Sequence, residues 1–256
     1  MGARVGSAEG PLWDPVAVPA ATVIVLRDQP EGPEVLMLRR DTNLSFAGGM
    51  WVFPGGRIDD TDRDGDTHAV DDPDDDLERA ARRAAVREAA EEAGIALDET
   101  QLVRWSHWTP PPRAGNRFST AFFCVGVDGA SATVTVDGGE IREHRWMRPR
   151  EVIDRRSAGE ISLAPPTFIT LTQLEVHPTV ADALEWARSS PVEHFATRIT
   201  VDGDVWIARY HGDVAYEDDD GSGAGGNRTD VHRPGPRHRL VMGPTWTYER
   251  SGRGVD

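Results

Sequence analysis

Residues 84–95 read AAVREAAEEAGI, and this stretch decides how the rest of the chain is interpreted. On a helix that advances about 100° per residue, Glu88, Glu91 and Glu92 fall three and four positions apart, so their carboxylates share one face. Like charges at this spacing repel, and Arg87 can pair with only one of them. A solvated acidic face is the usual explanation of a glutamate-rich window. The alternative, which the neighbouring sequence favours, is a face that binds a cation.

Small residues surround the three glutamates. The alanines at 84, 85, 89, 90 and 93 would let a helix approach a neighbouring element closely, and Gly94 suits a helix C-terminus. We therefore predict a short helix that is packed on one side and charged on the other.

The sequence FPGG at residues 53–56 follows an apolar stretch and is a loop that can bring backbone amides and carbonyls close to an ion or a phosphate. Loop and helix together resemble the signature of Nudix hydrolases, G-x5-E-x7-R-E-U-x-E-E-x-G-U, in which U is aliphatic. The match over residues 87–95 is nearly complete, with Ala89 as a small U. All four charged residues of this half are present, which favours an enzyme over a Nudix module that only senses nucleotides.

The first half of the signature departs from the pattern. Gly56 and Arg87 are 31 positions apart where the signature allows 14, which leaves an insertion of 17 residues. Counting forward from Gly56, the acidic position is Asp62; counting back from Arg87 it is Arg79, with Glu78 beside it. Both alternatives stay open at this point. Residues 62–76 are rich in Asp and predict a mobile, solvated loop whose last aspartates favour the positive end of the helix.

Further motifs resemble the peroxisomal-type coenzyme A diphosphatase branch of the Nudix family. These motifs are GGRIDDTD at 55–62, WSHWTP at 105–110, RFSTAFF at 117–123 and LAPPTF at 163–168. The resemblance implies hydrolysis of the diphosphate in coenzyme A or its thioesters, giving 3′,5′-ADP and a 4′-phosphopantetheine product. The alternatives are ADP-ribose, NADH or another nucleotide diphosphate.

The fold class that follows is α/β (α+β), with a mixed central sheet sandwiched between helices, as in the Nudix fold. Apolar and alternating runs predict strands at residues 20–27, 34–40, 50–53, 101–108, 118–127, 131–136 and 140–147. A helix is predicted to begin at 149, the segment at 163–168 is expected to precede another helix, and the pattern over 180–187 continues helically. We divide the chain into an irregular arm (1–19), a Nudix hydrolase domain (20–190, with the insertion at 62–76) and a C-terminal extension (191–256). The extension should contain further strands and a flexible Gly/Asp linker at 217–230.

The resemblance also assigns roles to individual residues. It implies a cofactor, Mg²⁺ or Mn²⁺, bound by oxygen ligands. Expected catalytic residues are Glu88, Glu91, Glu92 and Arg87; expected metal ligands are Glu88, Glu92, Glu91 and the Gly55 carbonyl. Candidates for substrate binding are Arg39, Phe53, Gly56 and Arg117. Possible additional carboxylates are Asp59, Asp62, Glu140 and Glu143.

The charge of the chain limits the kinds of partner that it can bind. The 256-residue chain has a net charge of −15 at pH 7, which argues against a nucleic acid or an anionic membrane as the partner. A phosphate-containing small molecule remains compatible because a divalent ion would supply positive charge. We expect a cytoplasmic protein that acts on a nucleoside diphosphate derivative, and a homodimer is possible.

Overall fold

The computed structural model describes residues 13–14, 16–44, 47–63, 73–112, 114, 117–129, 133–136, 138–218 and 230–251. Within these ranges a large mixed sheet carries helices on both faces, and a smaller antiparallel sheet lies near the C-terminus. The predicted class, a mixed α/β fold, is confirmed.

The large sheet has eight strands among the described residues. Six of them follow the order β3-β2-β1-β6-β5-β8, while β4 pairs with β1 and β7 pairs with β2. The pairs β1–β6 and β5–β8 are parallel and the others antiparallel, which makes the sheet mixed. The strands are β1 (Val18–Arg27), β2 (Glu34–Arg40), β3 (Trp51–Val52), β4 (Gly55–Arg57), β5 (Val103–Thr109), β6 (Phe118–Gly126), β7 (Ile141–Met147) and β8 (Glu193–Ala196).

Two hydrophobic clusters fill the two faces of this sheet, because side chains alternate along each strand. On β1, Val23 and Val25 belong to the cluster beneath the alanine-rich helix, whereas Ile24 and Leu26 belong to the cluster on the opposite face. The helices are α1 (Asp60–Arg63), α2 (Pro73–Ala93), α3 (Pro149–Ser157), α4 (Pro165–Leu174) and α5 (Val180–Ser189). Helix α2 covers one face, and α3, α4 and α5 cover the other.

The smaller sheet is formed by β9 (Arg198–Asp202), β10 (Val205–Arg209), β11 (His238–Met242) and β12 (Trp246–Arg250). Strands β10 and β11 pair in antiparallel fashion, which confirms that the segment starting at 238 returns to the strands after 194. Tyr210 and Leu240 are buried in the same cluster as α3, α4 and α5. Strand β8 lies inside the predicted extension but pairs with β5 of the large sheet. The three-part division of the chain stays a prediction.

The prediction of a short helix was wrong. Helix α2 has 21 residues and begins at Pro73, with Asp74, Asp75 and Asp76 in its first turn, as the helix dipole favours. The last residues of the predicted insertion loop are therefore helical, and Asp62 lies buried in α1. Residues 64–72 of that loop lie outside the described residues, as do 219–229 of the predicted linker.

A second correction concerns the strand predicted at 131–136. Residues 133–136 are described and are not in a strand, although Thr135 donates its backbone N–H to the carbonyl of Ala93 at the end of α2. This segment therefore passes the helix terminus instead of pairing with another strand. In the described part of the chain, no helix combines the length and apolar character needed to cross a membrane.

Candidate active site

The candidate site lies where β4 meets the C-terminal half of α2. Gly55 and Gly56 pair with Thr22 and Ala21 of β1, and the backbone N–H of Val23 donates to the carbonyl of Pro54. A Cβ on Gly55 would come within 2.5 Å of the carbonyl oxygen of Ala21. The two glycines therefore allow a close approach that other residues would block. We call this turn the glycine corner.

Glu92 points into the glycine corner. Its Oε2 accepts a hydrogen bond of 3.0 Å from the backbone N–H of Gly55, and its side chain is 8% exposed. Burial of the carboxylate, reinforced by the nearby charges of Glu88 and Glu140, raises the pKa of Glu92 to about 8, although the Gly55 N–H and Arg40 oppose this. The site thus holds a carboxylate that lacks enough positive charge around it, and a cation would favour its ionised form.

Glu88 lies directly against Gly56. An added Cβ at residue 56 would stand 2.2 Å from Oε1 of Glu88, so the absent side chain makes room for this carboxylate. Burial raises the pKa of Glu88, and its hydrogen bond to Arg87 partly opposes that increase. Glu88 and Glu92 therefore both reach the corner, as expected for residues four apart on one helix face.

Replacing Gly56 by Ala should lower activity with little loss of stability, because the flexible Glu88 side chain can move whereas the strand pairing remains. A displacement of about 1 Å in a reacting group can cost roughly 100-fold in rate, so we expect turnover to fall by about 10- to 100-fold. The control is Gly129→Ala, since a Cβ there meets nothing within 4 Å. Equal turnover in both variants would show that the position of Glu88 does not matter.

Arg87 forms hydrogen bonds with four other residues of the candidate site. Its Nε and Nη2 donate to the two oxygens of Asp62 at 3.1 and 3.0 Å, and Nη1 donates to Glu88 at 2.9 Å and Glu91 at 3.0 Å. Nη2 also donates to the carbonyl of Arg57. These contacts, led by the hydrogen bond to Asp62, raise the pKa of Arg87 even further above its ordinary value. The guanidinium orients the glutamates from the side, as a positioning residue would.

Of the two alternatives for the acidic position, Asp62 is the one that contacts Arg87. It is 4% exposed, accepts both hydrogen bonds from Arg87 and also accepts the backbone N–H of Asp59 at 2.8 Å. Glu78 instead pairs with Arg82 and Arg104, away from Arg87. The count forward from the glycine corner thus reaches the residue that contacts Arg87, and the additional chain lies between Asp62 and Arg87.

Glu91 is the most exposed of the three glutamates, at 59% of its side chain. Together with Glu88 it accepts from the same nitrogen of Arg87. Across the ranges that the structure describes, no three His, Cys, Asp or Glu side chains converge as a metal-ligand set. The metal role of the three glutamates stays a prediction.

From the sequence alone either Arg39 or Arg40 could face a substrate phosphate, and the structure places Arg40, not the predicted Arg39, beside Glu92. The Nη1 of Arg40 lies 3.6 Å from Oε1 of Glu92, and its Nη2 donates to Glu140 at 2.9 Å. Arg40 follows Arg39 at the end of β2, where the pairing with β7 shifts register, so that Arg39 lies opposite Glu143 and Arg40 opposite Ile141. Arg39, the predicted candidate, pairs with Glu143 at 3.1 Å instead. The register of β2 against β7 separates the two arginines, and it depends on contacts between distant residues that the sequence does not reveal.

The other predicted carboxylates differ in how directly they contact the residues of the candidate site. Glu140 is joined to the site through Arg40, whereas Glu143 pairs with Arg39 and Arg145. Asp59 is half-exposed and 3.8 Å from Arg87. Their roles as additional carboxylates stay predictions.

Two predicted substrate-binding residues make other contacts. Phe53 is 3% exposed and packs edge-on against Phe122 in the core, and its role in substrate binding stays a prediction. Arg117 pairs with Asp14 and also donates to the carbonyl of Pro110. Its guanidinium is thus already engaged at the start of β6, and its role as a phosphate clamp stays a prediction.

Comparison with protein families identifies the fold. The NUDIX domain family matches residues 17–165, which is more than half of the chain and includes the glycine corner, α2 and strands β1 to β7. The chain belongs to the Nudix family.

Individual Nudix relatives agree with this assignment. A putative nudix hydrolase 7 of Caenorhabditis elegans is 29% identical over 175 residues, and an acyl-coenzyme A diphosphatase of Gallus gallus is 29% identical over 191 residues. These matches cover 55% and 68% of this chain, and 55% and 50% of the relatives. The chain therefore spans about half the length of these curated relatives. The crystal structure of a NUDIX hydrolase from Alicyclobacillus acidocaldarius superposes with a TM-score of 0.59 at 25% identity, covering 68% of this chain and 98% of that one.

Proposed function

We propose that this Nudix protein is a divalent-metal-dependent hydrolase that cleaves the diphosphate linkage of a nucleoside diphosphate derivative. Coenzyme A or an acyl-coenzyme A is the first candidate substrate. The observation that carries the proposal is Glu92, a buried carboxylate with a raised pKa, held against the backbone of the glycine corner beside Glu88. Perturbed carboxylates of this kind concentrate at functional sites.

The residues at the corner fit Mg²⁺ or Mn²⁺ by their chemistry. Both ions prefer hard oxygen ligands, and Glu88, Glu92 and the Gly55 carbonyl would provide them. Burial without a sufficient counter-charge favours binding of a cation by Glu92. When bound, such an ion polarises a phosphoryl oxygen and lowers the pKa of a coordinated water.

The protein's own groups would then perform three tasks. Arg87 holds Glu88 and Glu91 in place through its Nη1, while Asp62 fixes the guanidinium. Glu91 keeps its contact with solvent, and it is our candidate to accept the proton from the attacking water. Arg40 stands beside Glu92 with a cationic group that suits a substrate phosphate.

The choice of coenzyme A rests on similarity. The relative from Gallus gallus is described as an acyl-coenzyme A diphosphatase, and the motifs at 55–62, 105–110, 117–123 and 163–168 point to the same branch. A relative from Mycobacterium tuberculosis, 27% identical over 146 residues, is described as a putative 8-oxo-dGTP diphosphatase. Oxidised nucleotides therefore belong among the compounds tested.

The decisive test is a substrate panel. The purified chain would be incubated with Mg²⁺ and, separately, with coenzyme A, acetyl-coenzyme A, ADP-ribose, NADH and 8-oxo-dGTP, and the products resolved by chromatography. We expect coenzyme A or its thioester to give 3′,5′-ADP with the largest kcat/KM, by roughly tenfold, since a site that binds the whole substrate discriminates by at least about 1.4 kcal/mol. Faster cleavage of another compound would exclude the coenzyme A assignment, and no Mg²⁺-dependent cleavage of any would contradict the hydrolase itself.

A further inference from the structure

A second cleft, of about 580 Å³, opens at the end of the large sheet where β5 begins and β6 ends. Helix α2 contributes from one face of the sheet and α5 from the other, while a short 3-10 helix at residues 99–101 closes one side. Its polar and backbone lining includes Arg82, Thr100, Gln101, Arg104, Gly126 and Arg188. Its volume lies in the usual range for a site that binds a small molecule.

Positive charge exceeds negative charge in this cleft. Arg104 and Arg82 share a single carboxylate, that of Glu78, at 2.9 and 3.3 Å. Arg188 forms no ion pair with any residue that the structure describes. Three guanidiniums thus meet one carboxylate in a chain whose net charge is −15. An excess of this sign is unexpected for a surface of so acidic a protein.

Arg104 is the buried member of the group, with 9% of its side chain exposed. Its Nη2 lies 2.7 Å from Nδ1 of His107, and its Nε has no hydrogen-bond partner. Burial, with a smaller contribution from Arg82, lowers the pKa of Arg104 to about 10 even though Glu78 opposes the change. Burial also lowers the pKa of His107 well below its ordinary value, so His107 carries no charge here. An anion in the cleft would reduce this unfavourable burial of positive charge.

The cleft is separate from the glycine corner. Gly55 pairs with Thr22 of β1, whereas Gly126 pairs with Leu26 at the other end of the same strand. Four residues of strand span roughly 13 Å, so the two sites are separated by about this distance along β1. Arg82 lies on α2 five residues before Arg87 and outside the insertion at 62–76. The helix therefore contributes Arg82 to the cleft and its residues from Arg87 onward to the candidate active site.

We propose that this cleft binds the phosphate group of a small anionic molecule, at a site distinct from the one that performs hydrolysis. Arginines recognise phosphate through paired N–H donors, and Gln101 adds an amide at the rim, whereas the Thr100 hydroxyl already donates to Asp98. A polyanion such as nucleic acid is disfavoured because the chain as a whole is strongly acidic. The proposal goes beyond the proposed function and does not depend on it.

The test measures binding to the 256-residue chain in EDTA, so that metal-dependent binding at the glycine corner is absent. Inorganic phosphate, AMP and uncharged adenosine would be titrated while backbone amide NMR signals are followed. We expect phosphate and AMP to shift the signals of Gln101 and Gly126 and to leave those of Gly55 and Gly56 in place. Tighter binding of AMP would indicate a nucleotide and equal binding would indicate recognition of phosphate alone; both support an anion site.

A variant distinguishes the cleft from nonspecific attraction. Arg188→Gln removes an exposed guanidinium with no ion-pair partner among the described residues, so the fold should be kept, and we expect binding to weaken about fivefold. Arg155→Gln, which removes an arginine from α3, should leave binding unchanged. The proposal is overturned if neither anion binds by about 20 mM, if adenosine binds as well as AMP, or if Arg188→Gln has no effect on affinity.

Discussion

Glu92→Gln should remove nearly all metal-dependent turnover, by roughly 100- to 1,000-fold, while the protein stays folded. The amide oxygen can still accept the N–H of Gly55, but a neutral group replaces the charged ligand that we assign to the cation. The measurement is steady-state hydrolysis of the best substrate across a range of Mg²⁺ concentrations. Glu185→Gln, which changes an exposed glutamate of α5, is the matched control and should behave as the unmodified chain.

Although Glu92→Gln should nearly abolish turnover, it should increase the stability of the folded protein at a pH near 8. The pKa of Glu92 is raised from 4.5 to about 8 in the folded protein, so the folded state holds one more proton than the unfolded state between those values. The free energy of unfolding therefore decreases as the pH rises through this window. Glutamine carries no such proton, so the loss, which is on the order of a few kcal/mol, should disappear in the variant.

Thermal unfolding in EDTA between pH 5 and 9 measures this difference. We expect Glu92→Gln to have a higher Tm than the unmodified chain at pH 8 and a smaller difference at pH 5. A variant that is less stable at pH 8 and inactive would show that Glu92 maintains the structure and does not serve chemistry. Higher stability together with lost turnover is the pattern of a residue kept for function.

Replacing Arg87 by Lys should reduce both stability and activity. Lysine cannot reproduce the fork that holds both oxygens of Asp62 while also reaching Glu88 and Glu91. Because Asp62 is 4% exposed, the variant leaves a buried carboxylate poorly paired, and we expect a loss of about 2–4 kcal/mol in the free energy of unfolding. Arg79→Lys on the same helix, which changes a more exposed arginine, should cost far less.

A double-mutant cycle tests whether the cost comes from the pair. If Arg87 and Asp62 act together, adding Asp62→Asn to Arg87→Lys should cost less than the sum of the two single changes. Additive losses would show that Arg87 acts on stability through its other contacts. Turnover of Arg87→Lys should fall even where the protein is fully folded, because Glu88 and Glu91 lose their shared donor.

The helical spacing and the glycine corner could be predicted because both are local. The side chains of Glu88 and Glu92 lie on one helix face wherever the helix stands, and the sequence FPGG marks a turn in almost any context. The order of strands before and after α2 was recognisable for the same reason, since apolar alternation depends only on neighbouring residues.

Other features depend on contacts between distant residues and could not be predicted. The choice between Asp62 and Glu78 required knowledge of which one reaches Arg87 across the extra residues. The choice between Arg39 and Arg40 required the register of β2 against β7. The length of α2 was underestimated because its acidic start has the composition of a solvated loop, although aspartates in a first turn are also favoured by the helix dipole.

The distance between Asp62 and Arg87 along the chain has a consequence for how such proteins are found. Arg87 and Asp62 are in contact, although the insertion separates them in the sequence. Residues can be added before the N-terminal end of a helix without changing the geometry of reactive groups near its C-terminal end. A sequence pattern with fixed spacing would not match such a protein. Relatives with similar insertions should therefore be sought with a signature that allows a gap of any length between its two halves.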